Sequence, residues 1–138
     1  MRESLFDGMI EIKTIPHNSQ RYDTVGDWWT DEEGWHIRVS ELGDWRYQFL
    51  VAFHEMLELA WCKRRGVKQA DVDAFDMDYE KNRKPGDFSE PGDDPKAPYR
   101  EGHHLATLVE RFAAMVLGVS WDAYEAAVNG LEYRSGES

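Results

Sequence analysis

The residues most able to do chemistry lie in the stretch FLVAFHEMLELAW, residues 49–61, where His54, Glu55 and Glu58 interrupt an apolar run. At about 100° per residue, the histidine and the second glutamate share one helix face, one turn apart. The string HEMLE differs from HExxH, a zinc-binding helix motif, only in having Glu58 where the second histidine would stand. Glutamate oxygen is an ordinary zinc ligand, so the spacing allows two bonds to one metal ion.

A third protein ligand is available in the stretch GHHLATLVER, residues 102–111. His103 and Glu110 are seven residues apart and share a helix face, whereas His104 points to a different side. We therefore predict a metal site made by His54, Glu58 and His103. Glu110 and His104 are possible additional ligands or supporting residues, and the spacing leaves open which of the two histidines binds.

Two other interpretations use the same residues differently. His54 and Glu58 could form a hydrogen-bonded pair at the helix edge with Glu55 in solvent. Alternatively, EMLE and the later DAFD (Asp73 to Asp76) resemble the paired carboxylates of MazG-like, all-α nucleotide pyrophosphatases, which bind Mg. An N-terminal hairpin has no place in that all-α fold.

Composition excludes some functions. The chain has 138 residues and a formal charge of -11, which argues against nonspecific binding to nucleic acid or to anionic membranes. The single cysteine, Cys62, allows no internal disulfide, and neither a signal sequence nor a membrane span is evident, so we expect a cytoplasmic protein. The charge also leaves open a non-enzymatic, acidic phage-type protein that binds a basic partner surface. The oligomeric state is not indicated.

The order of elements predicts one α+β domain over residues 1–138, with a strand and a β-hairpin packed on a bundle of about four helices. An acidic loop rich in Pro and Gly, residues 84–98, should border the site, and a frayed tail is expected at 133–138. The predicted elements are a strand at 9–15, a hairpin at 25–40 that turns at 31–34, and helices at 45–65, 70–83, 99–117 and from 120.

A final strand, WHIRVSE, followed by a helix with HE early in an apolar run resembles the minimal zincin layout of ImmA/IrrE-like metallopeptidases. The resemblance spans about residues 25–65 and implies a zincin-like hydrolase. His54 and Glu58 would be the first and second ligands and Glu55 the general base; zinc is the expected metal, with Mn, Fe or Mg as alternatives. A peptide or protein substrate is implied. The chain also resembles small phage-encoded proteins that combine a HELVE-like helix, a PGDDPxAPYR loop (here PGDDPKAPYR) and a histidine helix.

Overall fold

The computed structural model describes residues 8–131. Within them the chain forms three strands and four α-helices, so the α+β class predicted from the sequence is confirmed. The tail predicted at 133–138 lies outside the described residues. The elements are β1 (Met9–Ile15), β2 (Gly26–Asp31), β3 (Gly34–Ser40), α1 (Trp45–Arg65), α2 (Gln69–Lys81), α3 (Arg100–Val116) and α4 (Trp121–Leu131).

The sheet has the order β1-β3-β2, with β3 in the centre. β2 and β3 are the two arms of the predicted hairpin, and Gly34 closes the turn at a φ of 135°, a conformation that favours glycine. β1 pairs with β3 in parallel, with Ile12 opposite Ile37. β1 therefore lies beside β3, on the edge of the hairpin opposite to β2.

α1 is the central helix of the fold. Its first turn is capped by the Asp44 side chain, which accepts a hydrogen bond from the Arg46 amide, and it ends at Gly66 in the left-handed region. α1 packs against β2 and β3 on one side and against α3 on another. Leu50 and Leu59 are fully buried in the core beneath the sheet. A helix with neighbours on two sides needs the broad apolar surface that the sequence of α1 provides.

α1 and α3 run antiparallel. The Trp61 ring, near the end of α1, lies against Gly102 at the start of α3, and His54, nearer the start of α1, reaches Glu110 further along α3. A Cβ on Gly102 would lie 2.5 Å from Cε3 of the Trp61 ring, so only glycine allows this approach. The close packing places the chemically active faces of the two helices opposite each other.

The connection from α2 to α3 contains a short 3-10 helix, Pro91–Asp93, that packs against α2 and α3. α4 begins after Ser120, whose hydroxyl accepts a hydrogen bond from the Ala123 amide and so caps the helix. None of the helices within residues 8–131 is long and apolar enough to cross a membrane.

Candidate metal centre

Three donor atoms from α1 and α3 converge on one point. The Nε2 atom of His54, the Oε2 atom of Glu58 and the Nδ1 atom of His103 are each 3.2 Å from the other two. All three side chains are buried. The structure thus brings together the three residues that the sequence predicted as ligands.

The triangle has the size that a tetrahedral zinc ion requires. Donors bound to one such ion at about 2.0 to 2.1 Å lie about 3.3 to 3.4 Å from one another. The observed separations of 3.2 Å are close to this spacing. An ion could therefore be bound by these side chains with only small adjustments.

The far side of each of these residues is held by another side chain. His54 Nδ1–H donates to Glu110 Oε1 at 2.7 Å, and the Nε2 atom of His103 lies 2.8 Å from Glu90 Oε2. Trp28 Nε1–H donates to the second oxygen of Glu58 at 3.2 Å. Carboxylates bound to the outer nitrogen of an imidazole fix its tautomer and orientation. The other ring nitrogens therefore point at the common centre, where each would bind a metal ion after losing its proton.

The electrostatics of the cluster favour positive charge at its centre. Burial would lower the pKa of His54, but hydrogen bonds to Glu110 and Glu58 raise it well above its ordinary value. The same balance between burial and the carboxylates Glu58 and Glu90 raises the pKa of His103 to about 10. Burial would raise the pKa of Glu58, but His103 and His54 lower it to about 2. Protons can supply this charge, and a divalent ion would replace them.

Glu55 lies beside the cluster without belonging to it. Its Oε2 atom is 4.0 Å from His54 Nε2, a separation suited to holding a water molecule next to the donor atoms. Burial and the neighbouring Glu58 charge raise the pKa of Glu55 well above its ordinary value. The start of β2 confines the side chain, because a Cβ on Gly26 would lie 2.8 Å from Glu55 Cγ. A buried, positioned carboxylate of this kind can serve as a general base.

The cluster forms part of the wall of a cavity of about 540 Å³. The 84–98 connection borders this cavity, as its composition and position suggested, and contributes Phe88, Glu90 and the 3-10 helix Pro91–Asp93. Gly92 packs directly on the His103 ring, where a Cβ would lie 2.6 Å from Nδ1. α3 and α4 supply the opposite wall. The size is that of a typical small-ligand pocket.

Other residues singled out in the sequence lie outside the donor triangle. His104 is 44% exposed and its Nε2 atom is 3.2 Å from Asp93. Asp73 pairs with Arg21, and the buried Asp76 accepts hydrogen bonds from tyrosine hydroxyls. The carboxylates of EMLE and DAFD therefore do not form one four-oxygen site, and the sheet is foreign to the all-α fold that the MazG-like interpretation requires.

Four residues of the site were missed in the sequence: Trp28, Glu90, Gly92 and Gly26. Trp28 follows the alternation of β2 and could have been predicted to face inward, but not to donate to Glu58. Glu90 and Gly92 lie in an irregular segment, where no periodicity predicts a neighbour. Gly26 precedes the two hairpin tryptophans and gave no signal of its own.

Two further histidines make polar clusters that serve the fold. His17 bonds Ser40 Oγ at 2.8 Å and Asp23 at 2.7 Å, the residue types of a hydrolytic triad. Ser40 is completely buried, so its hydroxyl cannot reach a substrate. His36 bonds Glu11 Oε1 at 2.9 Å and Asp31 Oδ1 at 2.8 Å, and these contacts join β3 to β1 and β2.

Comparisons of the chain with models of protein families, with curated proteins and with solved structures found no match.

Proposed function

We propose that the protein binds one zinc ion through His54, Glu58 and His103 and hydrolyses an amide or related bond. The observation that carries this proposal is the triangle of donor atoms 3.2 Å apart, with the far side of each ligand held by a separate partner. Two imidazoles and one carboxylate are a common ligand set of catalytic zinc. Glu110 contacts the outer nitrogen of His54 and is therefore not one of the three donors. The donors are then two imidazole nitrogens and one carboxylate oxygen, a set that suits zinc better than Mg.

Each residue has a distinct part in the proposed reaction. Zinc bound here would act as a Lewis acid that polarises a carbonyl group and makes water more acidic. Glu55 would accept the proton from the attacking water and pass it to the leaving nitrogen. Burial and the neighbouring Glu58 charge raise the pKa of Glu55, which makes its carboxylate a stronger base. Glu110 and Glu90 would keep the two imidazoles in the binding tautomer.

The cavity supports a peptide segment as the substrate class. Its volume of about 540 Å³ accommodates only a few residues of an extended chain. Tyr22, Tyr99 and Phe88 add aromatic surface to its walls. We also propose a zincin-like fold, supported by the order of the strands and the HEMLE helix, and a cytoplasmic location, which a free, buried cysteine such as Cys62 suits.

Metal binding is tested first, because two adjacent histidines give a matched pair of variants. Purified wild type, His103→Ala and His104→Ala are titrated with zinc, and bound metal is measured by elemental analysis. We expect one zinc per wild-type chain, at least about 100-fold weaker binding for His103→Ala, and little change for His104→Ala. A wild type that binds no zinc, or equal losses in the two variants, would refute the site.

Hydrolysis is tested separately with a library of fluorogenic peptides. We expect Glu55→Gln to keep its zinc and to lose at least about 100-fold in turnover, since general base catalysis contributes that much or more. Glu125→Gln, at another position in the cavity wall, is the control and should retain activity. Zinc binding without hydrolysis of any peptide would exclude peptidase activity and favour a metal-binding protein without that function.

A further inference from the structure

α3 has its apolar side facing outward. Its inward side carries small residues and the site residues His103 and Glu110. The outward side carries six large apolar residues that are between 40% and 85% exposed. A surface helix ordinarily turns its apolar stripe to the core. The six residues, called here the apolar face of α3, are Leu105, Leu108, Val109, Phe112, Met115 and Val116.

We propose that the apolar face of α3 is the interface of a symmetric homodimer. Leu105, Val109, Phe112 and Val116 follow one another at steps of four, three and four residues, the spacing of a coiled-coil seam. This sequence of steps reads the same in both directions. A two-fold axis perpendicular to α3 near its middle therefore places Leu105 of one copy opposite Val116 of the other, and Val109 opposite Phe112. An isologous interface requires this self-complementarity.

The size of the surface supports a second copy of the chain as the occupant. From the exposed fractions, the six residues offer roughly 700 Å² of surface per copy for burial, and a stable interface of standard size buries about 800 Å² per partner. This exceeds the roughly 300 to 600 Å² of the largest apolar patch on a typical monomer.

Charge also permits association of the chain with itself. The formal charge is -11, so two copies repel each other in general. None of the six positions is charged, and the two copies can meet there without placing like charges in the seam. Leu108 belongs both to the apolar face and to the cavity wall, so the second copy would border the cavity. The dimer does not depend on the proposed zinc chemistry.

The mass in solution tests the interface. Sedimentation equilibrium is measured for wild type, Phe112→Glu and Met77→Glu, a control that changes a comparably exposed apolar residue on α2. We expect wild type and the control to sediment as dimers, at twice the chain mass of 16.1 kDa. Phe112→Glu should sediment as a monomer, at 16.1 kDa. Circular dichroism checks folding, and Val116→Glu, at an 85% exposed site, replaces Phe112→Glu if that variant does not fold.

Cysteine crosslinking tests the antiparallel alignment. Under mild oxidation, the double variant Leu105→Cys/Val116→Cys should form a covalent dimer, whereas Leu105→Cys alone should not, because its two copies lie far apart along the seam. Cys62 is fully buried and does not interfere. A wild type that stays monomeric at ~0.1 mM would overturn the dimer. Open-ended polymers, a dimeric glutamate variant or crosslinking of the single variant would overturn the proposed alignment.

Discussion

Gly92→Ala should weaken zinc binding although it alters no ligand. Gly92 belongs to the 3-10 helix Pro91–Asp93 that covers the His103 ring. A Cβ at this position would lie 2.6 Å from His103 Nδ1 and 2.7 Å from Cδ2. Nonbonded heavy atoms prefer about 3.5 to 4.0 Å, so the ring and the loop must separate by about 1 Å.

The His103 ring cannot absorb such a shift and still bind. Its Nε2 atom is held at 2.8 Å by Glu90, and its Nδ1 atom is one corner of the donor triangle. Metal–ligand distances tolerate changes of about 0.2 Å, so a shift of about 1 Å removes one of three ligands. We expect zinc affinity to fall at least about 100-fold, which corresponds to about 2.7 kcal/mol.

A competition titration with a chromophoric chelator measures this loss. Gly130→Ala on α4 is the matched control, since a Cβ there would meet no atom within 4 Å. Far-UV circular dichroism of both variants checks that the helices are intact. Zinc affinity of Gly92→Ala within about threefold of wild type would refute the reasoning, because the loop would then not fix the ring in the binding position.

Three more substitutions test other parts of the site. Gly26→Ala pushes on both Val51 Cγ1 and Glu55 Cγ, so turnover should fall about 100-fold in the peptide assay with zinc still bound; unchanged turnover contradicts this. Glu110→Gln weakens the support of His54, and zinc affinity should fall roughly tenfold in the chelator titration; full affinity contradicts this. Burial raises the pKa of Asp76 from 3.8 to about 7, so the folded protein is more stable when this carboxyl group is protonated and neutral. Relative to Asp76→Asn, wild type should lose up to about 4 kcal/mol between pH 4 and pH 8 in urea unfolding.

Most elements of the fold could be predicted because their signals are local. The Asp44 cap and Gly66 mark the two ends of α1, and they lie directly on either side of the predicted range 45–65. α2 ends at Lys81 and α3 begins at Arg100, each within two residues of the predicted position. The parallel pairing of β1 with β3 was not predicted, because no local pattern specifies which edge of a hairpin a separate strand joins.

The donor triangle could be predicted in composition but not in its supporting contacts. His54 and Glu58 share a face by helix geometry, and His103 had to come from the helix that packs opposite them. Sequence spacing could not separate His103 from His104, since the choice depends on how α3 is rotated against α1. Glu90 supports His103 from an irregular segment, so only the folded structure shows its part.

The rotation of α3 connects the site with the exposed apolar face. A helix rotated to bury its large apolar residues would have turned His103 and Glu110 toward solvent. In the structure, Gly102, Ala106 and Ala114 face α1 instead, and these small residues allow the close helix packing that brings the donor atoms within 3.2 Å. With this rotation, the large apolar side chains of α3 face solvent. The site and the proposed dimer interface are therefore two consequences of one orientation of α3, and a second copy would bury the surface that α1 does not.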